Sequence, residues 1–303
     1  MGPRIAIPMP HSSDPEYAER AIPQYERAVA LAGGEPVRVR LDQSPDEVRK
    51  VIELCDGVLL PGSNADVDPA RFHAPRSPHT AAADPRRDAV DDLLLEDAYQ
   101  QGKPVLGICY GLQSLNVYHA GSLVQHIPDF LPEAARAMVD HEAGKSVSVA
   151  HTVEIVPGSR LAQVVNGEPT SGAKALGDAK TGIAASEARP PKAESDWRAE
   201  SNSRAYANPK EPREGKALVL PVNSSHHQSA DAVGKGLLVV ARCPDDGIIE
   251  ALEGTETDHF VLAVQWHPER SVEEDAASRA IFRAFLDAAS QRRKKFGHGF
   301  GHG

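Results

Sequence analysis

Four times within the first 125 residues, a short apolar run gives way to a helical pattern. The runs "RIAIP", "EPVRVRL", "DGVLLPG" and "PVLGI" are too short for core helices and read as strands. Behind them come "PEYAERAIPQYERAVALAGG", "SPDEVRKVIELC", "DPRRDAVDDLLLEDAYQQGK" and "GLQSLNVYHAG", with apolar residues at helical spacing. Pro23 complicates the first turns of the first helix. Strand–helix alternation allows few architectures. The expected fold is a three-layer α/β domain, with a mostly parallel central sheet covered by helices on both faces. Ligands of such sheets bind beyond the carboxyl ends of the strands, where "LLPGS" and "GICYG" both fall.

The pattern breaks at about residues 166 to 215, which are rich in Ala, Glu, Lys, Pro, Ser and Gly. So few large apolar groups cannot offset ordering entropy, and a flexible surface insertion is expected there. Order resumes at "ALVLPVNSSHHQS". It continues through "GLLVVARCPDDGIIEALEG", two strands around a turn, and "FVLAVQWHPE", a further strand. Ala280, Ile281, Ala284, Phe285 and Ala288 mark an amphipathic terminal helix. The expected organisation is one domain over 1–290 and a disordered basic and Gly-His tail over 291–303, with "QRRKK" as a solvated helix end.

The formal net charge of −10 and the absence of a basic face argue against nucleic acid as a partner. No apolar run reaches the roughly 18 residues of a membrane span, and the N-terminus lacks the pattern of a signal peptide. A cytoplasmic protein with no membrane partner is expected. The cysteines are Cys55, Cys109 and Cys243, an odd number without a C-x-x-C pair, so a disulfide framework is not expected.

Cys109 lies in G-x-C-x-G, after a strand and before a helix. This is the cysteine counterpart of the nucleophile elbow: Gly107 and Gly111 permit a sharp turn that presents the thiol at a helix N-terminus, where a thiolate is favoured. Cys55 and Cys243 lack such surroundings and read as structural. A nucleophile needs a base and the base an orienter. "VLAVQWHPE" offers His267 at the end of an apolar strand. Pro268 is expected to hold His267 extended and to prevent a helix from starting there. Glu269, two residues on, would then project to the same side. Gly62, in "LLPGS", and Tyr110, after the cysteine, would supply oxyanion-hole N–H groups.

"LLPGS", "GICYGLQ…AGSLVQ", "VNSSHHQ" and "AVQWHPE", in this order and spacing, resemble the class I glutamine amidotransferase-type domains, which have a flavodoxin-like fold. "GSNADVDPARF" and "VNSSHHQSADAVGKGLLVVARCPDDGIIEAL" are similar to one branch in particular, the gamma-glutamyl-gamma-aminobutyrate hydrolases. The resemblance implies Cys109 as nucleophile, His267 as base and Glu269 as its partner. It also implies a pocket for a gamma-glutamyl substrate, lined by Gln113, Ser225, His226, His227 and Gln228. The plainer reading of the two histidines is local hydrogen bonding. A zinc site on them is not expected, because no third ligand stands at suitable spacing. Tyr110 stands where this branch often has arginine, and Ala120 replaces a usual glycine.

The implied activity is hydrolysis of a gamma-glutamyl amine through a thioester, within polyamine or putrescine catabolism and with no metal or organic cofactor. Two alternatives stay open: a glutaminase subunit delivering ammonia to a synthase partner, and a relative that binds ligands without turnover. A homodimer is a further open assignment.

Overall fold

The computed structural model describes residues 2–136, 138–167 and 217–296. Its strands are β1 (Arg4–Pro8), β2 (Glu35–Val39), β3 (Gly57–Leu60), β4 (Val105–Ile108), β5 (Leu123–Val124), β6 (His151–Ile155), β7 (Leu218–Val222), β8 (Ser229–Ala230), β9 (Leu237–Arg242), β10 (Ile249–Gly254) and β11 (Val261–Val264). Its helices are α1 (Pro15–Leu31), α2 (Pro45–Glu53), α3 (Pro85–Gln101), α4 (Tyr110–Tyr118), the single turns α5 (Ile127–Phe130) and α6 (Glu133–Arg136), α7 (Arg160–Val165) and α8 (Ala276–Phe296).

Helix starts follow from local chemistry. α1, α2 and α3 each begin with an acceptor residue followed by proline: Asp14-Pro15, Ser44-Pro45 and Asp84-Pro85. The side chain caps a free N–H, and the proline occupies the first helical position, where its missing N–H costs nothing. At α2 the cap is reciprocal, because Glu47 reaches back to the Ser44 N–H at 2.8 Å.

Nine strands form one sheet in the order β2-β1-β3-β4-β11-β10-β9-β6-β7, and β5 pairs with β8 in a small second sheet. The block from β2 to β11 is parallel, as expected from the strand–helix alternation. From β11 through β10, β9, β6 and β7 the pairing is antiparallel. Both faces of the parallel block are buried, and its residues divide by alternation. Ile5, Ile7, Leu59, Leu106, Ile108, Leu262 and Val264 join a core with Ile22, Val29, Phe282 and Phe285 of α1 and α8. Ala6, Val58, Leu60, Val105, Val261 and Ala263 face a second core with Val48, Leu94, Leu95, Leu112 and Leu115 of α2, α3 and α4.

α1 runs through Pro23 without ending. α8 continues through Phe296, so residues 291–296, assigned from sequence to the tail, are helical. The expected insertion lies almost wholly outside the described residues, as does the Gly-His repeat. Among the described residues, no helix is long and apolar enough to cross a membrane. Ala120 has φ 62°, in the left-handed region that favours glycine, which accounts for the glycine usual at that position.

Candidate functional site

Three neighbouring strands end at one crevice: β3 leads to Gly62, β4 to Cys109 and β11 to His267. Cys109 caps α4 with φ 53° and ψ −106°. A side-chain-bearing residue reaches that conformation only when its surroundings impose it, at a cost of about 1–3 kcal/mol. They do so here from both sides. The Cys109 N–H is held by Val264 O at 2.8 Å, and its carbonyl accepts from the Leu112 and Gln113 N–H groups. Gly107 and Gly111 let α4 sit directly on the sheet: a Cβ on Gly111 would lie 2.2 Å from Leu60 O, and one on Gly107 2.9 Å from Gly111. Cys109 is 7% exposed, at the floor of a cleft of about 760 Å³.

His267 comes to the thiol across Gly62. A Cβ on Gly62 would stand 3.1 Å from His267 Cε1 and 3.6 Å from Cys109 Cβ. The backbone of His267 is clamped by Asn223, which donates to its carbonyl and accepts its N–H, both at 2.9 Å. Its Nδ1 meets Glu269 Oε1 at 2.7 Å. This contact arises differently from the sequence expectation. Pro268 does not exclude a helical turn; it opens a 3₁₀ turn, Pro268–Arg270, with His267 as N-cap. Proline suits a first helical position, and the tight turn brings the carboxylate back to the ring.

Burial disfavours the charged ring, but the Glu269 carboxylate and then the Cys109 sulfur overcome it and raise the His267 pKa to about 9. Burial likewise opposes the charge on Glu269, yet His267, then Arg270, hold its carboxyl below the usual range. The geometry therefore favours an imidazolium held between the Glu269 carboxylate and the Cys109 sulfur.

The expected oxyanion donors differ in state. Tyr110 is the first residue of α4, so its N–H has no intrahelical acceptor. The Gly62 N–H is engaged: it donates to Tyr25 Oη at 3.0 Å. Burial lifts the Tyr25 pKa well above 10, so the phenol stays neutral. The Tyr110 side chain is 1% exposed and lies inward rather than on the pocket rim. Its hydroxyl donates to Asp88 at 2.6 Å, and the Arg87 guanidinium stacks 4.8 Å from its ring centroid. Arg87 also pairs with buried Asp91 and donates to Pro61 O at 2.7 Å, fixing the turn that carries Gly62.

All ten residues singled out from sequence fall at this crevice. Gln113, Ser225, His226, His227 and Gln228 line the cleft beside Cys109, Tyr110, His267 and Glu269, with Gly62 beneath them. The two adjacent histidines diverge. His227 Nε2 pairs with Asp66 at 3.1 Å, whereas His226 turns into the interior, its Nδ1 2.8 Å from Gln228 O. Sequence reasoning missed Tyr17, Tyr25, Arg20 and Asp66 of the lining, and the clamp residue Asn223. Asn223 lies within "VNSSHHQ", so that motif was the available signal for it. The α1 residues carry no local signal, because only the packing of α1 brings them to the cleft.

Comparison with known proteins agrees with this architecture. The chain is 34% identical over 269 residues to a Mycobacterium tuberculosis protein named "Putative glutamine amidotransferase"; the match covers 88% of this chain and 66% of that protein. It is 28% identical over 269 residues to the gamma-glutamyl-gamma-aminobutyrate hydrolase PuuD of Escherichia coli, covering 88% and 84% of the two chains. Among solved structures it resembles a "putative gmp synthase subunit a protein" from Thermoplasma acidophilum, with a TM-score of 0.54 at 13% identity, covering 97% and 98% of the chains, a likeness of fold. The Peptidase C26 family pattern matches residues 5–174 and 211–269, interrupted within the expected insertion. The chain belongs to the Peptidase C26 family of class I glutamine amidotransferase-like proteins.

Proposed function

We propose that the protein is a cysteine-dependent amidase that hydrolyses the gamma-glutamyl amide bond of a small gamma-glutamyl amine, such as gamma-glutamyl-gamma-aminobutyrate. The observation that carries this reading is the strained Cys109 elbow facing a buried His267–Glu269 pair. In this reading the Cys109 thiolate attacks the side-chain carbonyl carbon of the glutamyl group. The oxyanion is received by the Tyr110 N–H and by the Gly62 N–H, which exchanges the Tyr25 hydroxyl for it. Ser63, next in the chain and also lining the cleft, provides the adjacent N–H. His267, as imidazolium, protonates the departing amine. It then takes a proton from water, which hydrolyses the thioester to glutamate and restores the thiolate.

The cleft supports this class of substrate. Its volume suits a dipeptide-sized molecule. Arg20, Lys145 and Arg270 line it beside Asp66 and Glu142, charges of both signs for a zwitterionic glutamyl head group and an acidic leaving amine. Glutaminase-subunit function remains the second reading, since the same residues would release ammonia from glutamine.

The test is a panel of gamma-glutamyl amines, glutamine included, assayed for glutamate release by wild type and Cys109→Ala. Release from gamma-glutamyl-gamma-aminobutyrate by wild type alone is expected. No release from any of them, or equal release by the variant, refutes the reading. Release from glutamine alone supports the glutaminase reading.

A further inference from the structure

Behind the cleft wall lies a second group of side chains that the proposed reaction does not use. His141, His151, His226 and Glu250 come from four separate parts of the chain: the segment after α6, β6, the "SSHHQ" stretch and β10. They are 4%, 8%, 4% and 0% exposed. Each offers one ligating atom to a common point, and all four atoms lie within 4.8 Å of one another. Glu250 Oε1 stands 3.1 Å from His141 Nδ1, 3.4 Å from His151 Nε2 and 3.4 Å from His226 Nε2. The angles do not make hydrogen bonds. All three inward nitrogens and both Glu250 oxygens are buried without a hydrogen-bond partner. Such orphaned atoms are costly, and five of them in one buried cluster is unusual.

The outward ring nitrogens explain the arrangement. His151 Nδ1 lies 3.0 Å from Thr152 O, and His226 Nδ1 lies 2.8 Å from Gln228 O. A carbonyl oxygen only accepts, so both outward nitrogens carry the proton and both inward nitrogens present lone pairs. His141 Nε2 meets the Asp246 carboxylate at 2.7 Å and carries a proton there. A carboxylate or carbonyl on the far nitrogen is the usual support of a metal-ligating histidine. The centre thus gathers the inward lone pairs of His151 and His226 around the Glu250 carboxylate, with His141 beside them between the carboxylates of Asp246 and Glu250. Two of the three contacts to Glu250, at 3.4 Å, match the edge of a tetrahedron with metal–ligand bonds of about 2.0–2.1 Å, which is about 3.3–3.4 Å, and the third, at 3.1 Å, is slightly shorter.

We propose that His141, His151, His226 and Glu250 form a structural site for a divalent transition-metal ion, with zinc the best fit to its tetrahedral N₃O donor set. The absence of a ligand close to His226 in sequence, which argued against zinc, is met by three distant residues. His227 takes no part. Four protein donors leave no open position, so the ion organises the fold rather than the reaction. It joins two strands of the antiparallel half of the sheet to His226, and His226 is bonded to Gln228 O, which also accepts from Gln113 in the cleft. The ion would hold the wall of the substrate cleft in place.

The test is metal analysis of the full chain, prepared without added metal-binding tag and washed with a mild chelator to strip the Gly-His tail. About one zinc or other transition-metal ion per chain is expected in wild type and Cys109→Ala, falling at least about tenfold in His151→Ala and Glu250→Gln. Independently of the variants, wild type stripped by a strong chelator is expected to melt at lower temperature and to recover with added Zn²⁺. It should also take up Co²⁺ with the intense visible absorption of a tetrahedral site. Folded wild type that carries no metal and binds neither Zn²⁺ nor Co²⁺ overturns the proposal, as does full metal content in a folded Glu250→Gln; the cluster would then be a proton-sharing network.

Discussion

Replacing Glu269 with Gln separates charge from shape at the heart of the proposed mechanism. The substitution keeps the size of the side chain and removes the anion that lies 2.7 Å from His267 Nδ1. Burial would by itself push the ring below 6.5; Glu269, with help from Cys109, carries it to about 9. Return to 6.5 alone would weaken proton binding about 300-fold, or about 3 kcal/mol at 1.36 kcal/mol per pH unit. At pH 8 that would lower the imidazolium share from about 90% to about 3%; Cys109 keeps part of the lift, so the expected loss in kcat/KM is roughly 10- to 30-fold at pH 8 and only a few-fold at pH 7. The sign also fixes the pH profile. The imidazolium is present below the folded value and lost above it, so wild-type activity should fall as pH rises through about 9. In Glu269→Gln that fall should begin at lower pH. The same linkage makes the stability contributed by His267 complete below 6.5 and lost as pH rises through about 9. Steady-state kinetics over pH, with NMR titration of the His267 ring, check both claims. A variant within threefold of wild type at pH 8, with its alkaline limb unmoved, would refute the reasoning.

Other outcomes follow from the local geometry. Cys109→Gly is expected to be inactive yet about 1 kcal/mol more stable than Cys109→Ala in urea denaturation, because glycine relieves the φ 53° strain and gives back only part of it as unfolded-state entropy. Gly111→Ala drives a methyl group to 2.2 Å from Leu60 O; a loss of about 1–3 kcal/mol in the same assay is expected, with activity reduced about tenfold or more as α4 shifts. Asn223→Ala leaves the buried N–H and carbonyl of His267 unpaired; it should cost about 2 kcal/mol of stability and lower kcat more than it changes KM.

The parallel half of the fold was legible because its signals are local. Runs such as "VLGI" and "VLAV" are short, apolar and buried on both faces, and α1, α2 and α3 each carry their own cap. The elbow was legible for the same reason, since Gly107, Cys109 and Gly111 act within five residues. What escaped depended on distant partners. β6, "HTVEI", is a short strand whose pairing with β7 and β9 no local pattern announces. That Tyr25 would occupy the Gly62 N–H follows from where α1 packs, 37 residues away. His226 was separable from His227 only by the side of the wall to which each ring turns. The Pro268 turn was misjudged because proline restricts the residue before it but also suits a first helical position.

The central claim is that the Cys109 sulfur bonds covalently to the glutamyl carbonyl carbon during turnover. Rapid acid quenching of enzyme mixed with gamma-glutamyl-gamma-aminobutyrate, followed by peptide mass spectrometry, reads this directly. The account predicts the mass of one glutamyl group on the peptide containing Cys109, appearing at the rate of turnover and absent from Cys109→Ala. Glutamate production with that peptide unmodified at every quench time, and undiminished in Cys109→Ala, would contradict it.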